Sequence, residues 1–219
     1  MLIELLALTL ITAQSGGPSF DCEAAFEPVE DAICTDDKLS ALDLRMADRY
    51  AAVRRALPAG ARTALAADQR WFLGSRDEWF DNRDRWSDFP DLASRMTDRI
   101  DFLNQIDSSG AGGLTGRWRN VAGEVVIRPG RDGGLTVSIS AANPVNARWV
   151  CEVNMSGRAS GPATARSVEG VADGDPAYRL KATLGNGVLR IDETRTRGSG
   201  GPGYCGANGG VGGAYFRVY

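Results

Sequence analysis

A chain of 219 residues with a formal net charge of −3 has the length of one large domain or two small ones. It contains no histidine, which excludes the Ser-His-Asp and Cys-His catalytic arrangements and every histidine-containing metal site. Residues up to Asp107 include 20 acidic and 12 basic side chains, whereas the remainder include 8 and 13. Of the 27 glycines, 23 follow Asp107. This division predicts an α+β protein with an acidic helical part and a basic, turn-rich β part.

The first 15 residues have the pattern of an export signal. An apolar run from Leu2 to Thr12 precedes the small residues at 13–15, as in a cleaved signal peptide, although Glu4 interrupts the run. A poorly formed buried helix is the alternative. We expect residues 1–15 to be a signal peptide and the protein to be periplasmic or secreted. No later run approaches the ~20 apolar residues of a membrane-spanning helix.

Two helices are predicted between Ser19 and Leu57. Pro28, which lies between Cys22 and Cys34, is favoured at the first position of a short helix. Thr35 or Asp36 can cap a second helix. The apolar residues of this second helix recur in steps of three or four, as on a helix that lies against a core: Leu39, Leu42, Met46, Tyr50, Val53 and Leu57.

A third helix, predicted from about Ala61 to Asp84, places polar residues on its core-facing stripe. A buried guanidinium without a partner costs about 3 kcal/mol or more, so we expect Arg76 to meet the carboxylate of Asp43 or Asp77. Arg99 likewise lies on the core-facing stripe of the last predicted helix. We interpret five residues as an interhelical polar clamp, with a binding site as the less favoured alternative: Asp43, Gln69, Arg76, Asp77 and Arg99.

Several short motifs follow one another in this half: Asp21-Cys22, Pro28-Val29-Glu30, Ile33-Cys34, Gln69-Arg70, Phe72-Leu73, Arg76-Asp77 and, on the last helix, Leu92, Met96, Arg99-Ile100 and Leu103. Their order resembles the N-terminal domain of the LprI-type lysozyme-inhibitor family. The chain differs from that family in lacking its usual second cysteine pair, so the loop from Asp81 to Pro90 is not stapled. The resemblance implies an inhibitor of lysozyme that acts by protein–protein contact.

The second half is predicted to consist of strands. Residues 108–113, Ser-Ser-Gly-Ala-Gly-Gly, are the expected linker between a helical domain of residues 20–107 and a β domain of residues 114–219. Eight short strand-like segments follow, separated by turn residues such as Asn186-Gly187. We expect a small antiparallel barrel or sandwich that is closed by its first strand, near Trp118, and its last, near Tyr215.

Four cysteines in an exported chain predict disulfides. Of the three possible connectivities, the division into two parts favours Cys22–Cys34 and Cys151–Cys205. The chain has no C-x-x-C pair of the kind that zinc sites and redox catalysts use, so we expect no metal and no other cofactor.

No catalytic arrangement emerges from these residues, and we expect the protein not to be an enzyme. The acids between Asp77 and Asp91 alternate with arginines, which is more typical of a solvated helix end than of a glycosidase pair. The acidic half can attract a strongly basic c-type lysozyme, with five candidate contact residues: Asp36, Asp37, Asp81, Asp84 and Asp88.

The alternative function is that of a cell-envelope module that binds peptidoglycan or another anionic glycan through the basic β domain. Arginine-bearing strands with Trp118 and Trp149 are compatible with an anionic polymer. Nucleic acid is not an expected partner of an exported protein.

Overall fold

The computed structural model describes residues 17–88, 90–110, 112–162, 166–198 and 200–219, so the predicted signal peptide, residues 1–15, lies outside the described residues. The predicted α+β architecture is confirmed, with helices in the first part and an antiparallel sheet in the second. Within these ranges, a short 3₁₀ helix at Cys22–Ala24 precedes four α-helices: α1 Pro28–Thr35, α2 Asp37–Ala56, α3 Ala59–Asp81 and α4 Leu92–Gln105.

Local chemistry sets the ends of these helices. Pro28 is the first residue of α1, and Glu27 and Glu30 form a reciprocal capping box around it. Of the two predicted caps for α2, Asp36 has the role, because its carboxylate accepts the N–H groups of Lys38 at 2.8 Å and Leu39 at 3.0 Å. Helix α3 ends at Asp81, before the predicted Asp84, and the chain continues in tight turns with the Asn82 amide bonded to the Glu78 carbonyl.

The helices pack through the apolar stripes that the sequence predicts. On α2 and just after it, Leu42, Met46, Val53 and Leu57 are buried. Two further predicted residues, Leu39 and Tyr50, are half-buried against the same cluster. Helices α2 and α3 are joined by only two residues, Leu57 and Pro58, and run side by side in opposite directions.

Among the described residues, nine strands form one antiparallel sheet with the order β4-β3-β2-β1-β9-β8-β7-β6-β5. Each of the eight predicted segments overlaps one strand, and the additional strand, β5, has only two residues. The strands are β1 Gly116–Arg119, β2 Gly123–Pro129, β3 Leu135–Ala142, β4 Val150–Gly157, β5 Ala159–Ser160, β6 Ser167–Ala172, β7 Asp175–Gly185, β8 Val188–Arg195 and β9 Gly213–Val218.

The hairpin predicted at Asn186-Gly187 is confirmed, since β7 and β8 pair up to Gly185 and Val188 on either side of it. Asn186 has φ of 53° and Gly187 has φ of 76°, the left-handed pair that a two-residue hairpin turn with the twist of a sheet requires.

The sheet curls into a nearly closed, barrel-like structure, and its first and last strands, β1 and β9, pair as predicted. The barrel has a seam elsewhere, because in the order of the strands β4 and β5 stand at the two ends of the sheet. The two ends of the sheet meet where β4 approaches β6. There the N–H of Asp173 donates to the carbonyl of Asn154 at 2.9 Å, and a Cβ atom on Gly170 would lie 2.5 Å from the carbonyl oxygen of Ser156. Glycine at the seam therefore permits the close approach of two backbones.

The helical part lies directly on the barrel. Val188, Phe216 and Val218 of the sheet belong to the apolar cluster of the helices, and the ring of Phe102 on α4 meets that of Phe216 edge-on at 6.3 Å. Arg217 on β9 accepts the N–H of Asp107 at 2.9 Å through its carbonyl, and its guanidinium donates to the carbonyls of Gly113 and Thr115 at the start of the β part. The division into domains of residues 20–107 and 114–219 stays a prediction, and the two parts share an apolar cluster.

None of the helices that the structure describes combines the length and the apolar character that a membrane-spanning helix requires.

The seam generates a prediction. Gly170→Ala should lower the free energy of unfolding by about 2 kcal/mol, because the added methyl group forces the β4 backbone away from β6. Urea denaturation measures the change. Gly185→Ala is the matched control, since a Cβ atom there meets nothing within 4 Å, and its effect should stay below about 0.5 kcal/mol. Equal losses in both variants would contradict this account of the seam.

The start of α4 predicts a pH dependence. Asp91 accepts the N–H of Ser94 at 2.7 Å, and this bond, with Lys38 nearby, holds the pKa of Asp91 below its usual 3.8. Asp91→Ala should cost at most about 1 kcal/mol at pH 7, since the cap is exposed. Because the folded-state pKa is depressed, this contribution is complete above the unfolded-state pKa and is lost as the pH falls through the folded-state value. Urea unfolding at stepwise lower pH should show the gap between wild type and variant closing, whereas Asp88→Ala should show no gap at any pH.

Candidate functional site

Arg76 on α3 lies against both carboxylates that the sequence proposes for it. Its Nε donates to Oδ1 of Asp77 at 2.7 Å, and its Nη1 lies 3.9 Å from Oδ1 of Asp43 on α2. The second oxygen of Asp43 accepts the N–H of Ser19 at 2.8 Å and its hydroxyl at 2.6 Å. Arg76 therefore connects α3 to α2 and, through Asp43, to the segment that precedes the first disulfide.

Arg99 on α4 is buried more deeply, with 2% of its side chain exposed. Its Nε donates to Oε1 of Gln69 at 2.8 Å and its Nη1 to Oδ2 of Asp68 at 2.7 Å. The guanidinium carbon lies 5.2 Å from the ring centre of Phe72 and 4.9 Å from that of Phe102. Burial lowers the pKa of Arg99, and the neighbouring Asp68 opposes that shift. The clamp residues thus form two groups along α3, and their proposed structural role stays a prediction.

Asp68 is the residue of this cluster that the sequence reasoning missed. Its Oδ2 holds Arg99, while its Oδ1 accepts the N–H of Val121 at 2.9 Å, in the turn between β1 and β2. A pattern in the sequence could have indicated it. Asp68 lies three residues after Leu65 and four before Phe72, so it falls on the same buried stripe of α3.

Both polar groups border a cleft of about 180 Å³ between α3, α4 and the barrel. We call it the arginine cleft, because Arg76, Arg95, Arg99 and Arg119 all line it. Among the residues that the structure describes around it, Asp98 is the one acidic side chain in its wall. The sequence predicted neither Arg95 nor Arg119 as part of a site.

Arg95 and Arg119 are held in the cleft by neutral groups. Arg95 donates to the carbonyls of Pro144 at 2.9 Å and Val145 at 2.8 Å, and its guanidinium carbon lies 4.6 Å from the ring centre of Trp79. Burial lowers the pKa of Arg95, and Asp98 opposes the shift. Arg119 donates to Oε1 of Gln105 at 3.3 Å. Within the described ranges, neither arginine has a carboxylate at ion-pair distance.

A second surface is formed by the loop that the Cys22–Cys34 disulfide closes. Phe26 projects from this loop and is 89% exposed. It precedes Glu27, the N-cap of α1, where a hydrophobic residue often packs against the fourth residue of the helix. In this chain that fourth residue is Asp31, so the ring has no apolar partner within its own helix. An aromatic residue among acids just before Pro28 is a pattern in the sequence that could have indicated this surface.

The surroundings of Phe26 are strongly acidic. Residues 17–37 contain seven acidic side chains and no basic one. Six of the seven are exposed and Glu30 is half-buried. We call this surface the acidic loop, with the residues Asp21, Glu23, Glu27, Glu30, Asp31, Asp36 and Asp37.

The five acids predicted as contact residues are all exposed, and the structure brings them to one end of the helices. The 3.9 Å contact between Arg76 and Asp43 places those residues at the same level of α3 and α2. Since α2 begins shortly before Asp43 and α3 ends shortly after Arg76, both ends lie together. Asp36 and Asp37 therefore share this end with Asp81, Asp84 and Asp88, among which Lys38, Arg83 and Arg85 are also exposed.

The predicted disulfide pairs, Cys22–Cys34 and Cys151–Cys205, are both present. The second one fixes a glycine-rich loop that Glu193 also holds, because its carboxylate accepts the N–H groups of Val211 at 2.9 Å and Gly212 at 2.8 Å. In the part of the chain that the structure describes, no group of three or more Cys, Asp and Glu side chains is placed to hold a metal ion.

No family model, no curated protein and no solved structure matches this chain. The resemblance to LprI-type inhibitors is therefore limited to short motifs. The acidic loop and the arginine cleft are the structural features that bear on function.

The position of Asp68 generates a prediction. Asp68→Asn should lower the free energy of unfolding by about 3 kcal/mol, because Arg99 then stays buried without a charged partner. Urea denaturation at pH 7 measures this. Asp98→Asn, at an exposed carboxylate of the same cleft, should change the free energy by less than about 0.5 kcal/mol. If both variants unfolded at the wild-type urea concentration, Asp68 would not have the role described here.

Proposed function

We propose that this protein is exported to the periplasm or secreted, and that it acts without catalysis by binding a basic protein, a c-type lysozyme, in the manner of a lysozyme inhibitor. The observation that carries the proposal is the exposed ring of Phe26 in the disulfide-closed acidic loop. The motif resemblance to LprI-type inhibitors supports the same function.

Phe26 has the properties of an interface anchor. Aromatic side chains that become buried at the centre of an interface contribute a large share of its binding free energy. A ring that is 89% exposed adds little to the stability of the free protein. Because the disulfide closes the loop with a sequence separation of only 12 residues, the backbone that carries the ring loses little conformational freedom on binding.

The charge around Phe26 fits a cationic partner. Seven acids without a basic residue in the acidic loop produce a negative potential around the ring, and a basic protein is attracted to it before contact is made. Asp81, Asp84 and Asp88 extend this surface toward the end of α3, where arginines partly offset their charge. The acidic loop itself is therefore the main contact surface that we propose, with the α3 end at its rim.

The two disulfides support the proposed compartment. Two disulfides within one chain are typical of proteins that fold outside the reducing cytoplasm. Periplasmic or secreted localisation also agrees with a partner that acts on bacterial cell walls.

The basic β part favours a second candidate function, the binding of peptidoglycan or another anionic glycan. A shallow groove of about 480 Å³ lies at one end of the barrel, between the β2–β3 connection and the end of β4. Arg131 and Arg158 line it, and both are exposed. Guanidinium groups along an open groove suit the carboxylates of a polymer.

An inhibition assay tests the first proposal. The full oxidised chain should inhibit a c-type lysozyme on bacterial cell walls in a dose-dependent way. Phe26→Ala should weaken the inhibition about tenfold or more, since the interface loses its aromatic anchor. Its free energy of unfolding should change by less than about 0.5 kcal/mol, because the ring is exposed.

Val171→Ala is the matched control, since this residue is 42% exposed on the barrel, and it should inhibit as the wild type does. Raising the salt concentration should weaken inhibition, because electrostatic attraction is screened over a Debye length of ~8 Å at physiological ionic strength. No inhibition by the wild type, or an undiminished effect of Phe26→Ala, would contradict the proposal. In that case, sedimentation of the protein with purified sacculi, lost in Arg131→Gln and Arg158→Gln, would support the glycan function instead.

A further inference from the structure

The arginine cleft contains a buried hydrogen-bond donor that the protein itself leaves unused. Nη2 of Arg99 is buried and has no hydrogen-bond partner among the described residues, whereas Nε and Nη1 of the same guanidinium both have one. Only 2% of this side chain is exposed. Buried polar groups in folded proteins nearly always have partners, and charged ones most of all. Arg49 Nε and Trp79 Nε1 are likewise buried without a partner among the described residues, but Arg99 belongs to the wall of a cleft that three further arginines line. The free Nη2 in this setting points to a group from outside the chain.

The walls of the cleft fit a compact organic group. Its volume of about 180 Å³ corresponds to roughly six water molecules at their volume in the liquid. Phe72, Phe102, Val121 and Pro144 supply apolar surface. Arg99 and Arg119 supply donors beside the two aromatic rings, and Arg119 uses only one weak bond, at 3.3 Å to Gln105, within the described residues. A ligand with a small apolar body and one polar end fits this lining.

The charges around the cleft favour a monoanion as that polar end. Arg76, Arg95, Arg99 and Arg119 are matched in number by the nearby carboxylates of Asp43, Asp68, Asp77 and Asp98. A carboxylate adds one negative charge to this balanced cluster, whereas a phosphate adds about 1.5 to 2 at pH 7. Three of the four aspartates do not line the cleft, so the groups that face a ligand are mainly guanidinium donors.

We propose that the arginine cleft binds the carboxylate of a small organic acid, either a free acid or the terminal carboxylate of a short peptide. Nη2 of Arg99 and the guanidinium of Arg119 donate to its oxygens, and Phe72 and Phe102 contact its apolar part. This site is separate from the acidic loop, and its ligand is independent of the protein partner proposed above.

Calorimetric titration with matched probes tests the site. Benzoate represents a free acid and N-acetylalanine a peptide terminus. Their amides, benzamide and N-acetylalaninamide, have the same shape without the charge. At least one of the two acids should bind the full oxidised protein, about tenfold or more tightly than its amide, because charge-assisted hydrogen bonds are the stronger ones. Binding of N-acetylalanine alone assigns the site to a peptide terminus, and binding of benzoate alone assigns it to a free acid.

Variants locate the binding. Arg99 also holds Asp68, so Arg99→Gln can fail to fold, and Arg119→Gln is the informative change. It should weaken acid binding about tenfold while leaving the thermal midpoint unchanged. Arg117→Gln is the matched control on the same strand, because Arg117 is exposed and pairs with Glu124 outside the cleft. It should bind as the wild type does.

Four results would overturn the proposal: no binding of either acid, equal binding of acid and amide, tighter binding of inorganic phosphate than of the acids, or equal losses in Arg119→Gln and Arg117→Gln.

Discussion

The carboxylate of Asp68 receives hydrogen bonds from two directions, from the guanidinium of Arg99 on α4 and from the backbone of Val121 in the β1–β2 turn. One side chain of α3 thus sets both the packing of the helices on each other and the position of the helices on the barrel. A buried ion pair contributes little net stability compared with apolar packing, but removal of one partner is costly. Its main effect is geometric. A shift of α3 along the barrel would separate the carboxylate of Asp68 from the guanidinium of Arg99 and from the N–H of Val121. Both partners of Asp68, Arg99 and Val121, line the arginine cleft.

Much of the fold could be predicted because its determinants are local. The steps of three and four from Leu42 to Leu57 specify which face of α2 is buried, and the aspartate at position 36 supplies its own cap. The Asn186-Gly187 turn needs only two residues with positive φ. Each of these features depends on a few neighbouring residues, so a periodic pattern or a turn preference is enough to indicate it.

The rest of the structure depends on contacts between distant residues. The seam between β4 and β6 is set by the curvature of the whole sheet, and no short pattern around Gly170 reports it. The arginine cleft combines side chains from α3, α4 and β1 with the backbone of the β3–β4 connection. Gln69 and Arg76 were recognisable as polar residues on an apolar stripe. Arg95 could have been found in the same way, since it lies three residues after Leu92 and four before Arg99 on α4, whereas Arg119 lies on a short strand where no helical stripe applies. Phe26 was not predicted as a site residue for another reason. The residue type alone does not distinguish an exposed aromatic side chain from a buried one, because the two differ only in their surroundings in the fold.

The folded helices segregate charge more strongly than the sequence does. Arg76, Arg95 and Arg99 belong to the acidic half, yet all three turn toward the cleft, where they are buried or half-buried. The acids of the loop around Phe26 stay mostly at the surface. A partner that approaches the acidic loop therefore meets a surface more negative than the summed charge of this half indicates. The same segregation leaves one molecule with an exposed acidic surface and a separate cleft that arginines line.

Strand β9 lies between β1 and β8 although it comes last of the nine in the chain, and its Val218 pairs with Ile106 at the end of the helical part. Phe216 and Val218 also belong to the helical cluster. During biosynthesis the Cys22–Cys34 loop can therefore close early, from residues that are near neighbours, while the helices remain without part of their apolar packing until β9 has emerged. Pairings that join residues roughly 100 positions apart, as those of β1 with β9 do, are slow to form. Neither the helices nor the barrel can therefore complete their packing before β9 is synthesised. A chain interrupted before β9 would leave both parts incompletely packed.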